Sequence, residues 1–201
     1  GYNAISKSGV ADTANRSIHW TVTVDAKKQP IPSLKVYDLL VYGSSTSGFD
    51  LTQATGIPDT INTTDLTPRY DQKYVPTSFD GAGLSVRVHP IMQGGDQVAD
   101  LLEITGFSTE TVNTFTFDSL IVNPDVFAGN KTSSVWNTAT LFSGNAKLNE
   151  ASQKVEYTSK TLSKEMLKRE ALSDPAAGVN TLTKNAQERA STIRINRLFS
   201  V

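Results

Sequence analysis

Cysteine is absent from the 201 residues, which excludes disulfides, thiolate metal sites and a cysteine nucleophile. Histidine occurs only at His19 and His89, too few and too far apart in sequence for a zinc site. Neither sign of charge prevails: 19 basic against 20 acidic side chains leave a formal net charge of -1. That balance offers no electrostatic footprint for nucleic acid or an anionic membrane surface. No stretch approaches the roughly 18 apolar residues of a membrane span, and none reads as a secretory or lipidation signal. No G-x-S-x-G elbow accompanies the serines, and the glycine pairs of DGAG and GGDQ lack the strand-then-helix setting of a phosphate cradle. Asp96, Asp100, Glu103 and Asp118 do not have EF-hand spacing and read as acids of solvated loops. The expectation is therefore a chain that is not an enzyme acting on external substrates, needs no cofactor and holds no metal.

What is present is period-2 patterning. In RSIHWTVTVD, Ile18, Trp20, Val22 and Val24 share one parity, and His19, Thr21, Thr23 and Asp25 share the other. That is a strand with one buried face. The polar, proline-marked AKKQPIP turns the chain, and LKVYDLLVY follows as a second such strand. Further candidates are GLSVRVHP, DLLEITG, NTFTFDSLIV, SSVWNTATLF and KVEYTSKTL. The connection from Ser44 to Ser78 exceeds usual loop lengths, which predicts short strands or a helical turn inside it. Short strand candidates separated by Gly, Asn, Asp and Pro argue for an all-β, antiparallel sandwich over residues 4–160. Residues 161–201 change character, with seven Lys/Arg against four Asp/Glu. KTLSKEMLKREALSDPAAG has helical rhythm and TIRINRLFSV reads as a strand, a small mixed extension or the start of a following module.

Three polar residues stand where apolar ones are expected. Lys7 shares the parity of Ile5, Asp38 that of Leu34, Val36 and Leu40, and Asn137 that of Val135, Ala139 and Leu141. Buried polar groups are costly unless paired, and a lone buried charge more so. A single bulge would invert any of these parities, and the opposite parity holds Tyr37, Leu39, Trp136 and Phe142. Two arrangements satisfy the pattern: a buried Lys–Asp pair hydrogen-bonded to the asparagine, or a covalent Lys–Asn isopeptide bond. The second needs a neutral amine, promoted by burial, an acid that shuttles protons, and contact enforced by folding.

The runs SKSGVADTANRSIHWTVTVD, LKVYDLL and VWNTATLF together resemble the β-sandwich modules of Gram-positive cell-wall adhesins of the collagen-binding type. The matching features are Lys7 in the first strand, Asn15 before Trp20, Asp38 within VYD and Asn137 within NTA. The resemblance spans about residues 5–142 and implies an immunoglobulin-like fold. It also implies a self-made Lys7–Asn137 bond assisted by Asp38 as the catalytic acid. It further implies an extracellular protein, anchored to the wall through a region outside this sequence. There the module acts in series with adjacent modules of the same protein as a stalk or pilus element. VYDLL lacks the threonine and small residues usual after the acid, and residues after Thr161 match nothing in the pattern. The alternative reading is a ligand-binding head for a host or neighbouring-cell protein, glycoprotein, glycan or extended peptide. An exposed apolar or aromatic groove between domains would favour the head and a featureless polar surface the stalk.

Overall fold

A computed structural model describes residues 3–159; the helix and strand expected within 161–201 lie outside the described residues. The described residues fall into two compact units, one of residues 3–122 and 134–156, the other of 123–133 and 157–159. The first carries two β-sheets. One is ordered β1-β2-β8-β5 and the other β10-β9-β3-β7-β6, with β4 attached to β3. The strands are β1 (Ile5–Asp12), β2 (Ser17–Val24), β3 (Leu34–Val41), β4 (Pro68–Arg69), β5 (Gln72–Tyr74), β6 (Ser85–Gln93), β7 (Asp96–Thr105), β8 (Asn113–Ile121), β9 (Lys131–Ser143) and β10 (Ala146–Ser159). All paired strands with an assigned register are antiparallel except β3 with β4. This is the expected immunoglobulin-like all-β sandwich. In the second unit a 3-10 turn at Pro124–Phe127 sets Phe127 edge-on to Tyr157, ring centroids 5.5 Å apart.

The first sheet buries one face only. Ile18, Trp20, Val22 and Val24 of β2 and Phe115, Phe117 and Ile121 of β8 are buried, as period-2 alternation dictates. Its outer face carries aligned hydroxyls: Ser6, Thr23 and Thr114 form one cross-strand row, and Ser8, Thr21 and Thr116 the next. Exposed hydroxyls on β-branched side chains keep such a face soluble without weakening the strands.

The second sheet is covered on both sides at its centre, and its edge strands β6 and β10 are largely exposed. β3 is buried at seven of its eight positions, because Tyr37, Leu39 and Val41 pack beneath Ile61 and Leu66 of the long connection, with Phe49, Leu51 and Ile57 beside them. As expected, that connection contains a 3-10 turn at Thr63–Asp65 and the short strands β4 and β5. Gly94 and Gly95, both at positive φ, close the β6–β7 hairpin, where a two-residue turn of the right twist demands it.

One expectation is corrected. Asp96, Asp100, Glu103 and Asp118 stand in strands, not in solvated loops. Asp100 is buried, accepting from the Tyr42 hydroxyl at 2.6 Å, Gln97 Nε2 at 3.2 Å and the Tyr74 amide at 3.1 Å. A carboxylate given that many donors tolerates burial and staples the long connection to β7.

Candidate functional site

Lys7, Asp38 and Asn137, which stand on the apolar parity of their strands, lie in the interior with their side chains brought together. Lys7 Nζ lies 3.2 Å from Asp38 Oδ2, and both side chains are wholly shielded from solvent. Lys7's residual residue exposure is confined to its main chain, because β1 is an edge strand. Asn137 Nδ2 donates to Asp38 Oδ1 at 2.8 Å, and Asn137 is fully buried. One carboxyl group therefore bridges the amine and the amide, with Lys7 on the first sheet and Asp38 and Asn137 on the second.

The surroundings are aromatic. Lys7 Nζ sits 5.0 Å from the ring centres of both Trp20 and Phe117. Trp20 reaches this position because Gly9 faces it across the β1–β2 ladder. A Cβ on Gly9 would come within 2.5 Å of the indole, so an alanine there would displace the ring. Two faces of aromatic charge offer a cation about 1–2 kcal/mol, whereas stripping an ammonium of water costs several. Burial wins. It pushes Lys7 below its ordinary value against the opposing pull of Asp38. It likewise pushes Asp38 above the usual carboxylate range, against Lys7 and the Asn137 hydrogen bond. Both shifts favour the uncharged forms, an amine beside a carboxylic acid.

Asn137 Oδ1 is buried without a hydrogen-bond partner. An orphaned buried carbonyl costs about 1–3 kcal/mol, so in this orientation the Asn137 amide is only partly satisfied.

The other acids first considered are engaged elsewhere. Glu103 accepts from His89 Nε2 at 2.8 Å and pairs with Lys35 at 3.3 Å. Asp118 meets His19 at 2.6 Å at the solvent-exposed surface. Among the described residues no cluster of His, Cys, Asp or Glu is arranged to hold a metal. No described helix is long and apolar enough to cross a membrane.

Sequence reading missed a buried polar chain beside the triad. Trp20 Nε1 donates to Ser119 Oγ at 2.9 Å, and Ser119 Oγ donates to Gln72 Oε1 at 2.9 Å. Gln72 Nε2 then donates to the main-chain oxygens of Trp136 at 2.7 Å and Tyr70 at 3.2 Å. Ser119 was legible: in NTFTFDSLI it holds the parity of Phe115, Phe117 and Ile121, the same signal that exposed Asp38. Gln72 was not, since a three-residue strand inside a long connection has no periodicity to violate.

No protein-family model matches the chain, and no curated protein sequence matches it. Solved structures do. The chain is similar to the collagen-binding domain of a Staphylococcus aureus adhesin, at 8% identity and a TM-score of 0.40, over 78% of this chain and 99% of that one. It is similar to a Streptococcus parasanguinis structure concerned with pH-induced modulation of adhesion by Fap1 fimbriae. That match has 17% identity and a TM-score of 0.35, over 82% of this chain and 84% of the other. BcpA, the major pilin subunit of Bacillus cereus, matches at 9% identity and a TM-score of 0.37, over 77% of this chain and 39% of that one. At such low identities the function of the site rests on its own geometry.

Proposed function

We propose that Lys7 and Asn137 become joined by an isopeptide bond, and that the protein is a structural or adhesive module of a bacterial cell surface. The single observation that carries the chemistry is the Asp38 carboxyl bridging the buried Lys7 amine and the buried Asn137 amide. The neutral amine attacks Asn137 Cγ. The new C–N bond forms as the Cγ–Nδ2 bond breaks, and ammonia leaves. Asp38 Oδ2 faces the incoming nitrogen and takes its surplus proton; Oδ1 faces the departing nitrogen and supplies one. The carboxyl thus ends as protonated as it began. With the Asn137 amide rotated half a turn, Oδ1 of the asparagine meets the same carboxyl, where a protonated Asp38 donates to it and polarises the carbonyl. Folding supplies the proximity, and the reaction turns over once.

A surface role is supported by the character of the exterior. The exposed large apolar side chains among the described residues are Val10, Val88, Val112, Leu120, Trp136 and Leu148, five of them on five different strands and Val112 in the loop before β8. The outer face of the first sheet is mostly hydroxyls. These features favour a stalk module over a ligand-binding head. Extracellular placement, wall anchoring and neighbouring modules belong to this proposal and are consistent with the adhesin and pilin structures to which the chain is similar.

The test is intact mass. The protein is expected to weigh about 17 Da less than its sequence, the mass of the ammonia lost, and Asp38→Ala is expected to restore the full mass. An unmodified mass in the parent protein contradicts the bond; a retained deficit in Asp38→Ala contradicts the assignment of the acid.

A further inference from the structure

β9 lies between β10 and β3 in its sheet, but its ladder with β3 ends before Asn137. β9 pairs with β3 from Ser143, opposite Leu34, only as far as Ala139, opposite Asp38. Beyond that point β7 occupies one edge of β3, and β4 takes the other, with Pro68 opposite Leu39 and Arg69 opposite Leu40. Asn137 therefore projects from a part of β9 that has left its ladder with β3. The carbonyl of Trp136, in the peptide unit that leads into Asn137, accepts instead from the Gln72 side chain.

The same glutamine reaches the other reactant. Through Ser119 it fixes the indole N–H of Trp20, whose ring forms one wall of the Lys7 amine site. Gln72 and Ser119 are both fully shielded from solvent. Both Gln72 amide protons are used, its oxygen is used, and the Ser119 hydroxyl both gives and receives. A buried network with every member satisfied is rigid and specifies one arrangement.

We infer that Gln72, acting through Ser119, is the positioning residue of the crosslink. It sets the main chain entering Asn137 and the aromatic wall against Lys7 from a single side chain. Because it touches neither reacting atom, its removal changes how often the amine and carbonyl meet in register, not their acid–base character. This inference rests on the isopeptide reading above.

The experiment makes the full chain by cell-free synthesis and follows intact mass with time, for the parent, Gln72→Met, Ser119→Ala and Ile91→Val. Gln72→Met keeps the volume and removes every hydrogen bond. Ser119→Ala cuts only the Trp20 branch. Ile91→Val lightens the core on the far face of the second sheet and serves as the stability control. Misplacement of reacting groups by about 1 Å costs roughly 10²-fold in rate. The expected result is loss of ammonia in the parent and in Ile91→Val at similar rates. Gln72→Met is expected to be slower by about that factor, and Ser119→Ala to be slowed as well but less. The pH midpoints of the slowed reactions should match the parent's, because Lys7 and Asp38 stay dry. Displaced midpoints would show that water had entered a merely loosened core, and would overturn the positioning role. Parent-like rates in folded Gln72→Met and Ser119→Ala would also overturn it, while leaving the crosslink itself intact. If Gln72→Met does not fold, Ser119→Ala decides by the same criteria. A parent chain of full mass overturns the crosslink and this inference together.

Discussion

At Asp38 the chemistry depends on who owns one proton. Burial lowers Lys7 and raises Asp38, and the reaction needs the amine free and the acid protonated. The rate therefore falls on the acid side as Lys7 takes up a proton. It falls on the alkaline side as Asp38 loses one. Because Lys7 lies below 10.5 and Asp38 above 3.8, the profile expected is a bell with its acid limb below the ordinary lysine value and its alkaline limb above the ordinary carboxylate value. Measuring ammonia release or mass loss against pH in a slowed variant such as Ser119→Ala checks this. A rate that keeps rising through pH 10.5 would show that Asp38 acts without its proton.

At the scale of elements, β3 is the strand on which both cores depend. Its inward parity supplies Val36, Asp38 and Leu40, and its outward parity supplies Tyr37, Leu39 and Val41 to the core beneath the long connection. Leu39→Ala is expected to cost about 2–5 kcal/mol, as buried leucines do, while leaving the mass deficit in place. Denaturant midpoints with intact mass on the same samples check both halves. A lost deficit would mean that the outer core, and not the triad's own wall, holds the site together. The sandwich and the triad were legible because alternation is a local property: Asp38 breaks the parity of Leu34, Val36 and Leu40, Asn137 that of Val135, Ala139 and Leu141, and Lys7 follows Ile5 on the inward side of β1. The double burial of β3 was not legible, because it is imposed by Ile61 and Leu66 from a segment some 20 or more residues away with no period of its own. The buried Asp100 was misread for the same reason, its partners Tyr42 and Tyr74 being invisible until the connection folds back.

For the whole molecule, a Lys7–Asn137 bond would close a loop of roughly 130 residues and join one sheet to the other. Constraining a loop of that length in the unfolded chain is worth about 5 kcal/mol, which in a protein of this size corresponds to roughly 10–20 °C in Tm. Asn137→Ala removes the bond and leaves Lys7 paired with Asp38, so its melting temperature is expected to fall by about that much and its resistance to proteolysis with it. In a chain without cysteine, such a bond would supply the crosslink that a disulfide cannot. The most direct measurement of this account is the peptide map of the intact protein. After digestion, the fragment containing Lys7 and the fragment containing Asn137 should appear as one branched species, lighter than their sum by about 17 Da. Two separate linear fragments of unmodified mass would contradict it.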